Sequence, residues 1–297
     1  MGGSAVVSEG TYPFAVALIT EEPGVDFQFC GGALIAPTWV VTAAHCFIIP
    51  GGGSEVAADV SIVIGRNDWR NGSGGDRVGA ARLIPHPDWK NDTTDDLRND
   101  IALIELKRPV SIGEPIPLAE PLDAALWAAG KSGIVMGWGV DDSGGSSPVL
   151  REVVVPHRTD NHCRSVRGYD ARLSMCVGDD SGRDSCSGDS GGPLISNPDD
   201  DRLVLLGVVS AGPTNCGTGA AYYTEVAAFI PWLETTSGLD LTRPTLTVEQ
   251  AASQADPTVE RAAQFTVTFS EPVGGLDADA VVIGGTAAAT TATVSGN

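Results

Sequence analysis

The chain has 297 residues, 42% of them hydrophobic and 19% charged, so it can form one large domain or two ordinary ones and is not broadly disordered. Its net charge of −20 argues against binding to nucleic acid or to an anionic membrane surface, because both need a basic protein face. No apolar run approaches the length of about 18 residues that a membrane span requires, so none is expected.

Short runs rich in strand-forming residues follow one another along the first half of the chain, separated by clusters of Gly, Pro, Asn and Asp. The predicted strands of the first half include Phe14–Thr20, Ala33–Ile35, Val60–Ile64 and Ile101–Leu106. Those of the second half include Gly133–Met136, Val153–Val155 and Leu203–Val209. Helical spacing of apolar residues appears only at Val226–Thr235. Two similar all-β halves followed by one helix predict a double barrel.

The composition changes after Gly238, where the chain becomes rich in Thr, Ala and Val and has no further Cys. Apolar and polar residues alternate at Phe265–Phe269, as in a half-buried strand. We interpret 1–236 as the first domain, 237–244 as a linker and 245–297 as a second all-β module. That module has about 53 residues, whereas a complete β-sandwich of this kind needs roughly 100, so a partial sandwich is predicted.

Six cysteines, an even number without a CxxC pair, indicate disulfides and an oxidising compartment rather than a zinc or thioredoxin-like site. Spacing alone does not choose among the pairings. We therefore expect a secreted or cell-surface protein. Met1 leads directly into Gly2-Gly3-Ser4 without the apolar core of a signal peptide, so we expect secretion to depend on sequence upstream of this start.

Ser190 lies in the glycine-rich segment Gly188-Asp189-Ser190-Gly191-Gly192-Pro193. A serine hydroxyl needs an adjacent base to act as a nucleophile. The flanking glycines allow unusual backbone angles, so the N–H groups of Gly188 and Ser190 are candidates for an oxyanion hole. The alternative for such a segment is an ordinary glycine-rich turn.

Two further residues are candidates for the base and its orienting acid. His45, in Thr42-Ala43-Ala44-His45-Cys46, is surrounded by small residues and adjoins a Cys, although a single His is more often structural. Asp100 opens the apolar run Ile101-Ala102-Leu103, where most Asp residues are turn or cap residues. A catalytic role requires Asp100 to be buried against the imidazole of His45.

The three segments in this order resemble the chymotrypsin/trypsin family of serine proteases over about residues 2 to 236. The resemblance implies an all-β fold of two antiparallel six-stranded barrels with a C-terminal helix, and a triad of His45, Asp100 and Ser190 between the barrels. It also implies the disulfides Cys30–Cys46, Cys163–Cys176 and Cys186–Cys216. No cofactor is expected.

The resemblance further implies a substrate pocket. Asp184, six residues before Ser190, matches the acidic floor that binds Arg or Lys, and Ser185 adjoins it. The alternative for Asp184 is a surface position. Ser210-Ala211-Gly212 matches the segment that pairs with the substrate backbone, and Ser210 is expected to bond to Asp100.

Four positions depart from the family pattern. Ala211 replaces a large aromatic residue and Ala221 replaces a pocket glycine, which weakens the expectation of Arg/Lys preference. Arg66 replaces the first acidic ligand of a calcium loop, so no metal is expected there. The usual amino-terminal residue that pairs with the carboxylate of Asp189 is absent, because Met1-Gly2-Gly3 matches the second to fourth residues of that start. A zymogen that begins further upstream is therefore expected.

The tail, with Phe265–Val273 and Gly284–Ala287, more weakly resembles a bacterial immunoglobulin-like repeat, which would serve in adhesion or as a spacer. The leading hypothesis is a serine endopeptidase that cleaves after Arg or Lys. Its partners would be protein or peptide substrates, an activating protease and protein inhibitors. The alternatives are a weak or inert protease domain in a surface adhesion protein, and a protease of chymotrypsin-like or elastase-like preference.

Overall fold

The computed structural model describes most of the chain. The described residues are 1–22, 25–47, 56–72, 74–89, 98–166, 168–178, 181–200, 202–255, 262–273, 278, 281 and 291–295. They form two compact units, Met1–Leu241 and Thr242–Asn297. The predicted domain boundaries at 236 and 245 lie close to this division and stay a prediction.

Strands are the main regular elements among the described residues. In chain order they are β1 (Ser4–Ala5), β2 (Ala15–Glu22), β3 (Val25–Ala36), β4 (Trp39–Thr42), β5 (Val60–Ile64), β6 (Asp76–Pro85), β7 (Ala102–Leu106), β8 (Ser132–Gly137), β9 (Arg151–Pro156), β10 (Ser174–Val177), β11 (Pro193–Ser196), β12 (Leu205–Ala211), β13 (Ala221–Glu225), β14 (Leu246–Gln250) and β15 (Phe265–Phe269). The α-helices are α1 (Asp160–Cys163) and α2 (Ile230–Ser237), and 3-10 turns span Ala44–Cys46, Ala57–Asp59, Pro121–Trp127 and Val226–Phe229.

Strands β2 to β7 form a closed antiparallel barrel in the order β2-β3-β4-β7-β6-β5. The pairing of β2 with β5, from Val16 opposite Ile64 to Thr20 opposite Val60, closes the ring. Fully buried aliphatic side chains such as Leu18, Leu34 and Ile104 fill its interior. The predicted six-stranded barrel of the first half is therefore confirmed.

The second half forms a seven-stranded antiparallel sheet in the order β1-β9-β8-β11-β12-β13-β10. A single bridge between His157 and Val177 also brings the end of β9 against β10, where Arg158 N donates to Cys176 O over 2.8 Å. We call this contact the β9–β10 seam. The closure of this sheet into a second six-stranded barrel is not confirmed by the strand pairing and stays a prediction.

The predicted helix at Val226–Thr235 is present in two parts, a 3-10 turn over Val226–Phe229 and then α2. Pro231 lies at the start of α2, where its missing N–H leaves no bond unmade. Gly238 ends the helix with a left-handed φ of 72°. The short C-terminal helix of the protease-like half is thus confirmed.

In the second unit, the described residues contain the antiparallel pair β14–β15, with Leu246 opposite Phe269. The predicted alternation at Phe265–Phe269 corresponds to β15, but a β-sandwich is not confirmed. The segment Gly284–Ala287 lies outside the described residues. Among the helices described, none is long and apolar enough to cross a membrane.

Candidate functional site

His45 lies in the 3-10 turn that follows β4, and it is held there by two neighbours in the sequence. Cys46 forms a disulfide with Cys30 on β3. Thr42, the last residue of β4, donates its hydroxyl to Gly31 O over 2.7 Å. The side chain of His45 remains 30% exposed, so its imidazole can reach a ligand from solvent.

Asp100 precedes β7 and is only 2% exposed. Asn99 adopts a left-handed φ of 60°, which Asn tolerates better than most residues and which turns the chain inward before the strand. One carboxylate oxygen of Asp100 accepts the backbone N–H of His45 over 2.9 Å. The other lies 2.7 Å from His45 Nδ1 and also accepts the hydroxyl of Ser210 over 2.6 Å.

The pair has shifted pKa values because each charge stabilises the other. Burial lowers the pKa of His45, but the Asp100 carboxylate more than offsets this effect, and the net shift is upward. Burial raises the pKa of Asp100, whereas the charge and hydrogen bonds of His45 and the bond from Ser210 lower it, and the net shift is downward. Such a carboxylate fixes the tautomer of an imidazole and leaves Nε2 free to take a proton.

Ser190 lies in the turn between β10 and β11, and it is joined to the barrel that carries His45. Gly31 N donates to Ser190 O over 2.7 Å, and Cys46 Sγ lies 3.8 Å from the same oxygen. Gly191, with a φ of 76°, needs to be glycine because a Cβ atom there would collide with Thr42 Oγ1. Within the described part of the chain, Ser190 Oγ makes no hydrogen bond to His45, and such contacts often tighten only when substrate binds.

The backbone N–H groups of Gly188 and Ser190 have no acceptor within the described residues. The neighbouring N–H groups of Asp189 and Gly191 are bonded, to Cys186 O and Val209 O respectively, both over 2.9 Å. Two free N–H groups flanking a serine hydroxyl can stabilise an oxygen that becomes negative.

Asp189 is 8% exposed, and its side chain holds the turn that contains Gly188 and Ser190. Its carboxylate accepts Gly139 N over 2.8 Å and Cys186 N over 2.9 Å. Burial raises its pKa, and these two bonds together with the positive charge of the Met1 amino group oppose the shift only in part. A cavity of about 30 Å³ lies beside it, lined by Met1, Asp184 and other residues. The amino group of Met1 donates to the carbonyl oxygen of Asp184 over 2.8 Å.

Four residues expected in the substrate pocket, Asp184, Ser185, Gly212 and Ala221, lie close together. Asp184 is 2% exposed, which rules out the surface alternative. Its carboxylate accepts Ser185 N over 2.8 Å, and burial raises its pKa to about 6. A Cβ atom on Gly212 would lie 4.0 Å from Asp184 Oδ2 and 2.9 Å from Ala221 Cβ. Gly212, Ala221 and the buried carboxylate are therefore neighbours.

The three disulfides join the cysteines as the family resemblance implied: Cys30–Cys46, Cys163–Cys176 and Cys186–Cys216. His45 lies within 4.8 Å of the sulfurs of the first pair, an arrangement that resembles a metal site. Both sulfurs are disulfide-bonded and so offer no thiolate to an ion. Arg66, at the position predicted to exclude calcium, bonds through its guanidinium to Asn71 O.

Two contributors to the site carry no signal in the sequence. Thr224 on β13 donates its hydroxyl to the backbone oxygen of Asp100 over 2.8 Å. Gln28 on β3 donates its side-chain amide to Gly188 O over 2.8 Å. Each belongs to a segment remote in sequence from its partner, so no local motif could have identified it.

Comparison with known proteins gives one consistent result. The family model described as Trypsin matches residues 1–233. Serine protease 56 of Homo sapiens is 37% identical over 244 residues, which are 79% of this chain and 38% of that protein. Trypsin-1 of Astacus astacus is 32% identical over 241 residues, 79% of this chain and 98% of that protein. Trypsin of Sus scrofa is 30% identical over 241 residues and is covered over 94% of its length. The chain thus spans about two fifths of serine protease 56 but nearly all of the two trypsins.

Proposed function

Because the chain belongs to the trypsin family of serine endopeptidases, we propose that it hydrolyses peptide bonds through an acyl-enzyme intermediate formed on Ser190. The observation that carries this proposal is the buried Asp100 carboxylate bonded to both the backbone and the Nδ1 of His45. In acyl transfer such a carboxylate orients the imidazole and stabilises the imidazolium that forms, whereas a binding protein carries out no proton transfer that would require it.

The proposed reaction proceeds in two halves. Ser190 Oγ adds to the scissile carbonyl carbon while its proton passes to His45 Nε2, and the carbonyl π electrons move onto oxygen. The N–H groups of Gly188 and Ser190 receive that oxyanion. His45 then donates the proton to the leaving amine as the carbon–nitrogen bond breaks. Water repeats these steps on the ester and regenerates the Ser190 hydroxyl.

We assign substrate selection to the space around Asp184. Burial raises the pKa of the Asp184 carboxyl group, and an incoming Arg or Lys side chain would stabilise its charged form, which supports cleavage after these residues. Tyr223 OH donates to Ser185 Oγ over 2.9 Å and keeps that hydroxyl next to Asp184. Ser210 and Gly212 are assigned to the backbone of the substrate, at the end of β12. Ala211 supplies no aromatic side chain to the adjoining subsite.

Asp189 is assigned to activation. Its carboxylate is buried, its pKa is raised, and the cavity beside it offers room for a cationic group. An ammonium in this cavity would offset the cost of burying the charge and would fix the turn that carries Gly188 and Ser190.

We also propose a cellular location, partners and the completion of the two β-modules. Three disulfides support an extracellular location, with protein or peptide substrates, an activating protease and inhibitors as partners. The β9–β10 seam supports closure of the second sheet into a barrel. The β14–β15 pair supports an immunoglobulin-like start of the second module.

Replacement of the nucleophile tests the proposal. We expect Ser190→Ala to lower kcat on peptides with Arg or Lys before the cleaved bond by about 10⁶-fold and to abolish labelling by an arginine phosphonate probe. Ser143→Ala, which removes an exposed hydroxyl of a loop, is the matched control and should retain both signals. Hydrolysis or labelling that survives in Ser190→Ala would refute the assignment. A parent chain inactive on every peptide would instead favour an inert adhesion protein.

A further inference from the structure

The orientation of the oxyanion hole depends on a residue with little conformational preference of its own. Gly188 has a φ of 94°, a region that glycine enters at almost no cost. The peptide groups on either side of it can therefore rotate easily unless other groups hold them. The N–H of Gly188 points at an oxyanion only in one of those orientations.

Backbone bonds hold part of this turn. Val140 N donates to Ser187 O over 2.8 Å, which fixes the peptide before Gly188. Because that peptide is planar and trans, the Gly188 N–H points away from Val140. On the other side, Asp189 N donates to Cys186 O over 2.9 Å. The carbonyl oxygen of Gly188 itself has a side-chain donor, Gln28 Nε2, at 2.8 Å.

Gln28 reaches Gly188 because β3 is irregular at this point. Leu18 of β2 pairs with Cys30 of β3, and the next residue of β2, Ile19, pairs with Gln28. Phe29, which lies between Gln28 and Cys30, is therefore an extra residue on β3 and forms a β-bulge. A bulge of this kind changes the direction of nearby side chains and is frequent beside active sites. Gln28 is consequently buried, with 3% of its surface exposed, and is directed towards a turn 160 residues away in sequence.

The amide of Gln28 acts there as a double donor. Its Nε2 donates to Cys30 O over 2.9 Å and to Gly188 O over 2.8 Å. The reverse orientation would place an oxygen against two carbonyl oxygens, so the network fixes the assignment. The Oε1 atom is buried without a hydrogen-bond partner among the described residues, which is costly. A side chain kept at such a cost points to a role beyond stability.

We propose that Gln28 is a positioning residue for the oxyanion hole: by holding the carbonyl of Gly188, it fixes the peptide group between Gly188 and Asp189, which joins the two donors of the hole, and so keeps the N–H of Ser190 in place relative to the N–H of Gly188. The inference rests on the proposed function, in which the oxygen of the scissile carbonyl gains the electron pair of the carbonyl π bond when Ser190 Oγ adds. Gln28 itself touches neither the substrate nor the transferred proton.

Two substitutions isolate the donor. Gln28→Met has a similar length and no donor, and Gln28→Glu keeps the shape but offers no donor when ionised. We expect Gln28→Met to lower kcat on an arginine peptide by about 10- to 100-fold at neutral pH with KM changed less than about threefold, because the contact acts only on the transition state. Gln28→Glu should show the same loss at pH values above the pKa of its buried carboxyl group, which burial raises. Binding of a peptide aldehyde, which forms a tetrahedral adduct with Ser190, should weaken by a similar factor. Binding of the corresponding peptide alcohol, which cannot form the adduct, should not change.

A matched control separates positioning from loss of stability. Ser196, the last residue of β11, is fully buried and lies outside the proposed machinery. It donates its hydroxyl over 2.6 Å to the backbone oxygen of Arg202, in the loop that follows β11. Ser196→Ala should lower the unfolding midpoint but leave kcat and the aldehyde-to-alcohol affinity ratio as in the parent. The deficit of Gln28→Glu, taken as a ratio to the parent at each pH, should shrink as the pH falls, because a protonated carboxyl group can again donate to Gly188 O.

Three results would overturn the proposal. These are a folded Gln28→Met with kcat within about twofold of the parent, equal weakening of aldehyde and alcohol, or a crystal structure of Gln28→Met in which the Gly188 carbonyl keeps its orientation. If the parent hydrolyses no peptide, the proposed function fails first. The crystal structures of the parent and of Gln28→Met then still decide whether Gln28 orients Gly188.

Discussion

At the scale of single residues, the methyl group of Ala221 faces Gly212 in front of the Asp184 carboxylate. A Cβ atom on Gly212 would lie 2.9 Å from Ala221 Cβ, closer than carbon atoms approach without a shift. We infer that Ala221 narrows the proposed pocket through which a long cationic side chain would reach Asp184. The bulkier guanidinium of Arg should be affected more than the ammonium of Lys.

Enlarging this space should change selectivity. We expect Ala221→Gly to raise kcat/KM for peptides cleaved after Arg by about 5- to 100-fold, since overpacking of this kind costs about 1–3 kcal/mol, and to raise it less for Lys. Matched Arg and Lys peptides would measure the effect, with the neighbouring change Ala220→Gly as control. Equal or lower activity on Arg peptides would show that Ala221 does not limit the pocket.

At the scale of strands, the β9–β10 seam contains a buried histidine that the proposed mechanism does not use. His157 is 1% exposed, and neither of its ring nitrogens has a hydrogen-bond partner within the described part of the chain. Burial lowers its pKa to about 4, and the opposing charge of Asp200 offsets this only in part. Asp200 itself lies 3.4 Å from the ammonium of Lys131.

This histidine should make the sheet sensitive to acid. The folded-state pKa of His157, about 4, lies below the value of 6.5 for a free side chain, so the unfolded chain binds more protons between these pH values. Stability should accordingly fall as the pH drops from 6.5 towards 4, by about 3 kcal/mol from this group.

Urea unfolding of the parent and of His157→Gln at a series of pH values would measure this contribution as the difference in slope. His162→Gln, at an exposed position on α1, serves as the control. Parallel stability profiles for the parent and His157→Gln would contradict the prediction.

At the scale of the whole molecule, every residue assigned to catalysis, substrate binding or activation lies in the unit Met1–Leu241. The second unit supplies none of them. A chain that ends at Leu241 should therefore keep its fold and hydrolyse short peptides with kcat and KM within about twofold of the full chain, as expected of an independent domain. Steady-state kinetics and thermal unfolding of the shortened chain would test this, and loss of activity in a folded shortened chain would show that the second unit contributes to the site.

Local sequence was sufficient to identify the three segments that carry His45, Asp100 and Ser190. Each motif lies within a few consecutive residues. The glycines around Ser190 permit the backbone angles of its turn, and the small residues before His45 leave space around the imidazole. Runs of strand-forming residues between clusters of Gly, Pro, Asn and Asp also located β5 and most of β2 and β7, because strand-forming residues are concentrated within each strand.

Contacts between remote segments were decided only by the tertiary structure. The bond from Gln28 to Gly188 spans 160 residues, and the bulge in β3 that makes it is set by pairing with β2. The burial of Asp184 and of His157, and thus their raised and lowered pKa values, likewise depends on strands that fold over them. Such contacts form only when many parts of the chain pack together, so no single segment of the sequence predicts them.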